Sequence, residues 1–189
     1  MPIRPVRICR ELSRVAPDDA IVIVDTGHAG MWMGGMFDVK GPGQAYLRSA
    51  GHLGWAFPAG LGVKCAMPDR PVVTFTGDAG LWYHIAEIET AGRWKINAVT
   101  VVNNNASGNQ SKRGFDRAYG GQQTEKAREL WTFNPMNFAR IAEDMGALGL
   151  RVEKPADFAG AFEKALAAKR PAVIDVVTDI DALAPLAVS

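Results

Sequence analysis

Four short stretches of the chain are continuously apolar rather than alternating: "AIVIVD" (20–25), "PVVTFTGD" (71–78), "AVTVVN" (98–103) and "PAVIDVVTD" (171–179). Unbroken β-branched runs bounded by turn residues are the pattern of strands covered on both faces of a parallel sheet. Between and around them lie segments with helical spacing: "VRICRELSRV" (6–15), "WAFPAGLGVKCAM" (55–67), "LWYHIAEIETAG" (81–92), "MNFARIAEDMG" (136–146) and "ADFAGAFEKALAAK" (156–169). In the 81–92 segment Leu81, Ile85 and Ile88 fall on one face at i, i+4 and i+7. Repeated strand–helix alternation predicts an α/β fold, a doubly wound, mainly parallel sheet of about six strands with helices on both faces and right-handed crossovers.

One region lacks either period. Residues 104–135 are rich in Gly, Asn, Gln and charge and read as a long loop of functional or mobile character. Its Lys112, Arg113, Asp116 and Arg117 read as a solvated charge run, or as a segment that covers substrate once cofactor is bound. No repeat or linker divides the 189 residues, so 1–189 is expected to be a single domain.

Composition narrows the partners. Hydrophobic residues at 48% and charged ones at 22% fit a globular protein. With 21 basic and 20 acidic residues interspersed and a net charge of +1, neither a nucleic-acid footprint nor a membrane-surface patch is expected. The opening "MPIRPVRICREL" has no apolar signal core, and no apolar run approaches about 18 residues, so a cytoplasmic location is expected. Cys9 and Cys65 are too few and too far apart for a disulfide framework or a metal cluster and read as buried small hydrophobes.

In a doubly wound sheet, ligands gather beyond the carboxyl ends of the strands, where helix N-termini present amide groups. Four polar, glycine-rich clusters fall there: "DTGHAGMW" (25–32), "SAGHLGWAFP" (49–58), "TGDAGLW" (76–82) and "NNNASGN" (103–109). Asp78 sits between Gly77 and Ala79 at a strand end; a carboxylate and an amide oxygen are hard ligands of the kind Mg²⁺ or Ca²⁺ prefers. Asp78 with Asn104 or Asn105, separated by one helix crossover, offers two such oxygens, and the glycine loops offer amides for phosphate. Each alone has a plainer explanation: a helix N-cap for Asp78, an Asx turn for one asparagine. No Gly-x-x-x-x-Gly-Lys-Ser/Thr loop and no Gly-x-Gly-x-x-Gly after a strand occurs, which excludes a P-loop and a dinucleotide fingerprint.

The stretch "GDAGLWYHIAEIETAGRWKINAVTVVNNN" (77–105) resembles the thiamine-diphosphate signature, Gly-Asp-Gly followed one crossover later by Asn-Asn. Together with "DTGHAGMW", "GHLGWAFPAGLGVK" and "RVEKPADFAGAFEKALAAKRPAVIDVVTD", it resembles the C-terminal cofactor-binding domain of the acetolactate synthase and pyruvate decarboxylase-like superfamily over nearly the whole chain. The resemblance implies thiamine diphosphate and Mg²⁺ as cofactors. It implies that Asp78 and Asn105 bind Mg²⁺ through their side chains and Ser107 through its carbonyl, with Asn104 the amide ligand if the loop shifts by one residue. Thr26, Gly27, His28 and Ala29, with Gly77, Ala79 and Gly80, would line the diphosphate. Gly51 would offer its carbonyl to the aminopyrimidine beside His52, and Leu53 would hold the cofactor in its bent shape. Ala79 departs from the third position of Gly-Asp-Gly.

The same resemblance implies that the activating glutamate comes from a separate pyrimidine-binding domain across a dimer interface. This chain is too short to hold that domain, so it is expected to be half of a catalytic site, with no catalytic residue of its own and no activity in isolation. The implied activity is that of a lyase or transferase acting on a 2-keto acid, in a homo- or hetero-oligomer. Three readings stand open: the cofactor domain of an acetolactate synthase-like enzyme, the β subunit of a split decarboxylase such as sulfopyruvate decarboxylase, and a non-catalytic module that binds a phosphorylated metabolite. His28 is expected on the phosphate side, and His84, on a helix, has no acid–base role. Trp55, Phe57, Trp82, Tyr83 and Trp94 are expected in the core or an interface.

Overall fold

The computed structural model describes residues 2–49 and 51–185; Ala50, within the 49–58 cluster, lies outside the described residues. Six strands form one sheet: β1 (Ile21–Val24), β2 (Ala45–Arg48), β3 (Val72–Gly77), β4 (Val99–Asn104), β5 (Leu148–Val152) and β6 (Ala172–Val177). Their order is β2-β1-β3-β4-β6-β5, and every pairing is parallel. The four central strands are the four apolar runs, and β1 is buried along its whole length.

The helices are α1 (Pro5–Val15), α2 (Gly27–Met36), α3 (Ala56–Ala66), α4 (Asp78–Trp82), α5 (Glu87–Trp94), α6 (Asn109–Ala118), α7 (Glu125–Glu129), α8 (Phe138–Asp144) and α9 (Phe158–Ala167). Two apolar cores result, one on each face of the sheet. Val22, Val24, Val73, Phe75 and Ile174 pack with α1, α2 and α9 through Ile8, Leu12, Met33, Phe158 and Phe162. Ile21, Ile23, Val72, Val102 and Val173 pack on the other face with Phe57, Leu61, Leu81, Ile88 and Phe138. Alternate residues of β1 thus enter opposite cores, as a pleated strand between two helix layers requires.

The chain leaves β1 toward β2 and returns on its other side to β3, so the winding reverses between β1 and β3. A crevice opens beyond the carboxyl ends at such a switch. Asp25 follows β1 there, and Asp78 follows β3.

Several local features differ from the sequence expectation. The helix expected at 81–92 is two, joined by a turn at residues 83–86. The N–H groups of Tyr83, His84, Glu87, Ile88 and Glu89 each bond three residues back, which tightens the coil and puts His84 in the turn. The "GHAGMWMGGM" segment is helix α2 despite four glycines, held by burial of Ala29, Trp32 and Met33. The 104–135 region contains α6 and α7. Helix α6 is mostly polar, and the C-terminal segment holds it: Asn109 donates to the carbonyls of Ile180 and Ala182, both at 3.0 Å, and Lys112 pairs with Asp181 at 3.1 Å. Cys9 is buried as expected, whereas Cys65 on α3 is exposed, because that part of α3 faces away from the sheet. Of the aromatics expected in the core or an interface, Phe57 is buried and Trp55 half-buried, while Trp82, Tyr83 and Trp94 lie outside the core, exposed at 39%, 68% and 69% on the single chain. Among the described residues no helix is long and apolar enough to cross a membrane.

Candidate functional site

Parallel register brings the tips of β3 and β4 side by side, with Gly77 opposite Asn103. Asp78 is the first residue of α4. Its carboxylate accepts the Ala79 N–H at 2.9 Å and, across the tips, the Ser107 N–H at 3.1 Å. Burial pushes its pKa up to about 7, against the pull of those N–H groups.

The β4 tip is organised by two devices. The first is Asn104, whose amide donates to the Met136 carbonyl and to Asp175 Oδ1, both at 2.9 Å, while its oxygen accepts the Ala106 N–H at 3.3 Å. Asp175 is wholly buried on β6 and also takes the Phe138 N–H at 2.9 Å and Arg151 Nη1 at 2.5 Å. Asn104 is therefore committed to the sheet side of the loop, and Asn105 lines the cavity instead. The second device is a bridge between Ser107 and Thr132. Gly108 N–H donates to Trp131 O at 2.6 Å and Phe133 N–H to Ala106 O at 2.8 Å. In that antiparallel pattern the flanking peptides make the bridge, so the N–H and C=O of Ser107 itself are not spent on Thr132, and the N–H reaches Asp78 instead. Ala106 takes φ +52° to make the corner between these devices.

Asp25, which the sequence reading passed over, anchors the other side. Wholly buried, it accepts the Thr26 N–H at 2.9 Å, the Gly54 N–H at 3.0 Å and the Thr76 hydroxyl at 2.7 Å. It thereby ties β1, β3 and the 51–54 loop together. Gly80 is required beneath it, because a Cβ there would collide with Asp25 Oδ2 and lie 2.6 Å from Thr76 Oγ1.

These elements enclose a cavity of about 330 Å³. Thr26, Gly27, His28, Ala29 and Leu53 line one side, and Gly77, Asp78, Ala79, Gly80, Asn105 and Ser107 the other. Gly51 and His52 are exposed outside this lining, in the loop that carries Leu53; the Gly51 N–H donates to Thr26 Oγ1 at 3.3 Å. Asn103, which the resemblance places beside the metal ligands, also lines the cavity, as do Asn109, Gln110 and Ser111, which were not singled out from the sequence. The last three lie on α6, and only recognising a helix in a polar, glycine-containing stretch would have pointed them inward.

The donor set has unmet demand. Both ring nitrogens of His28, Asn103 Oδ1, Ser107 Oγ and Asn109 Oδ1 are buried without a partner among the described residues. Burial, and then the nearby Arg113 guanidinium, holds the His28 imidazole below its usual pKa. Buried polar atoms are ordinarily satisfied, so a cavity with several unpaired ones suits a polar ligand. Among the described residues no three His, Cys, Asp or Glu side chains converge on a metal position. A cation here would rely on one carboxylate, an amide oxygen and a backbone carbonyl, a set that suits Mg²⁺ completed by ligand oxygens.

The profile of the family described as thiamine pyrophosphate enzyme, C-terminal TPP binding domain, matches residues 25–176. The chain is 31% identical over 181 residues to a probable acetolactate synthase of Mycobacterium bovis, covering 95% of this chain and 32% of that protein. It is 30% identical over 190 residues to glyoxylate carboligase of Escherichia coli O157:H7, covering 95% of this chain and 32% of that protein. Among solved structures, the thiamine diphosphate-dependent 4-hydroxybenzoylformate decarboxylase of Rhodococcus jostii RHA1 superimposes with a TM-score of 0.82 at 30% identity, over 95% of this chain and 33% of that one. The chain thus spans about a third of the length of the curated relatives it matches.

Proposed function

The chain belongs to the C-terminal TPP-binding domains of the thiamine pyrophosphate enzymes, and from that premise we propose that it holds thiamine diphosphate through Mg²⁺ at the tips of β1, β3 and β4, as half of the active site of an acetolactate synthase-like enzyme. The observation that carries this reading is the approach of Asp78 and Ser107, with Asn105 in the same cavity and Asn104 turned away. Asp78 and Asn105 would hold Mg²⁺ through their side chains and Ser107 through its carbonyl. The Thr26–Ala29 turn, with Ala79 and Gly80, would line the diphosphate, where the unpaired atoms of His28 and Asn103 lie.

Bound thiamine diphosphate supplies an electron sink for breaking the bond between the carbonyl and carboxylate carbons of a 2-keto acid. What this chain adds is placement. Asp25 fixes the 51–54 loop through Gly54 and so sets the height of Leu53 in the cavity. Gly51 and His52, in the same loop, would meet the aminopyrimidine. The 51–54 loop carries no carboxylate for proton removal at that end, and the activating glutamate would come from a pyrimidine-binding domain or subunit. Exposed Tyr83, whose Cβ neighbours Gly54, and the partly exposed Trp82 offer an apolar surface for such a partner beside the loop.

Calorimetry with thiamine diphosphate against ADP, each with Mg²⁺, tests the reading. Selective, Mg²⁺-dependent binding of thiamine diphosphate is expected, with negligible pyruvate turnover by the isolated chain. Equal affinity for ADP would favour a phosphometabolite-binding module, and robust turnover without a partner would overturn the half-site reading.

A further inference from the structure

A second cavity of about 350 Å³ lies between α2 and α6, lined by His28, Met31, Gln110, Arg113, Gly114 and Arg117. His28 and Gln110 line this cleft and the cofactor cavity alike, so the two spaces share a wall. The proposed metal–diphosphate site makes no use of Arg113 or Arg117.

The charges of α6 divide by partner. Lys112 is paired with Asp181 at 3.1 Å and lies 5.5 Å from the Trp131 ring. Asp116 accepts Gln123 Nε2 at 2.6 Å. Arg113 donates from Nη2 to the Ala184 carbonyl at 3.2 Å, but its Nη1 is buried and has no acceptor among the described residues. Arg117 enters no ion pair among the described residues. Facing these guanidinium groups, His28 is 8% exposed, and neither ring nitrogen has a partner among the described residues. Among the described residues no acidic side chain lines the cleft. Donors withdrawn from water and left without acceptors are costly, and a guanidinium fork is shaped for an oxyanion.

We propose that the α2–α6 cleft is an oxyanion subsite in which Arg113 Nη1 and the His28 ring N–H donate to a phosphate-type group, with the Arg117 guanidinium supplying a second positive charge. Two sources carry that chemistry: the outer phosphate of thiamine diphosphate, which rests on the cofactor reading above, or a separate small anion such as inorganic phosphate, which does not.

The test is calorimetric titration of the full chain with inorganic phosphate, alone and after saturation with thiamine diphosphate and Mg²⁺, and with thiamine diphosphate itself. Wild type is compared with Arg113→Gln, Arg113→Lys, Arg117→Gln and, as a remote control on α1, Arg14→Gln; thermal unfolding confirms that each variant is folded. Arg113→Gln is expected to weaken phosphate binding about tenfold or more, with Arg113→Lys recovering part of it and Arg14→Gln unchanged. Competition between phosphate and thiamine diphosphate, with Arg113→Gln weakening both, assigns the subsite to the cofactor tail. Phosphate binding alongside the saturated cofactor, lost in Arg113→Gln without change in thiamine diphosphate affinity, assigns it to a separate anion. Equal phosphate and thiamine diphosphate affinities in wild type and Arg113→Gln, or equal losses in Arg14→Gln, would overturn the proposal. A wild-type chain that takes phosphate at Arg113 but not thiamine diphosphate would instead sink the cofactor reading alone.

Discussion

The Asp78 carboxylate accepts the Ser107 backbone N–H at 3.1 Å, joining the tips of two neighbouring strands at one point. Asp78→Ala is expected to abolish Mg²⁺-dependent binding of thiamine diphosphate and, by leaving that buried N–H unpaired, to lower stability by about 1–3 kcal/mol. Asp78→Asn keeps an acceptor for Ser107 and should lose the metal-dependent binding with a smaller stability change. Calorimetry and urea unfolding separate the two effects; Mg²⁺-dependent binding that survives in both variants would refute the metal assignment.

Asn104 and Asn105 are adjacent in sequence and opposite in role. Asn104→Ala strips a donor from the wholly buried Asp175 and should cost about 1–3 kcal/mol of stability. Asn105→Ala, whose side chain faces the cavity, should leave unfolding nearly unchanged while weakening Mg²⁺-dependent binding at least about tenfold. The reverse outcome in the same pair of assays would mean that Asn104 is the amide ligand.

Glycine positions divide by what a methyl group would meet. Gly80→Ala drives a Cβ into Asp25 and Thr76 and should destabilise by about 1–3 kcal/mol, loosening the 51–54 loop with it. Gly62, on α3, has open space around its Cβ position, and Gly62→Ala should stabilise by about 0.5–1 kcal/mol. Thermal unfolding midpoints moving in opposite directions would confirm the contrast.

Thiol chemistry follows burial. Burial pushes the Cys9 thiol up to about 12 from 9.0. Since its folded value lies above the unfolded one, the neutral thiol contributes no pH dependence below about 9, and stability falls as pH rises from there toward 12. Titration of the native protein with a thiol-reactive disulfide at pH 8 should report one fast thiol, Cys65, and a second only after denaturation; Cys65→Ser should remove the fast one.

Legibility varied with the kind of force behind each element. The runs that became β1, β3, β4 and β6 were readable because a strand buried on both faces tolerates few polar residues. The edge strands β2 and β5 were not, since one side of each needs no covering: "AYLR" is half exposed, and "LGLRV" carries Gly149 because a Cβ there would strike the Ala139 carbonyl. Helices α2 and α6 were hidden by glycine and polar composition, their stability coming from packing and from ties to residues 180–184 rather than from propensity. At the cavity, Asp78 is marked locally by a strand end and turn glycines, whereas Thr26, His28 and Leu53 were named through the family resemblance; all four line it. Asp25 was missed because a carboxylate at a strand end looks the same whether it binds a ligand or clasps Gly54 and Thr76.

By itself the sequence determined the α/β class, the four central strands and the clusters at their carboxyl ends, because apolar runs and turn residues act over a few neighbours. Only the tertiary structure decided that Asn104 turns away from the cavity that Asn103 and Asn105 line. That choice belongs to Asp175 on β6, held by Arg151 and the Phe138 amide, which captures Asn104 from 71 residues away. A hydrogen bond in a dry interior selects its partner by distance in space, and no local pattern along the chain records it.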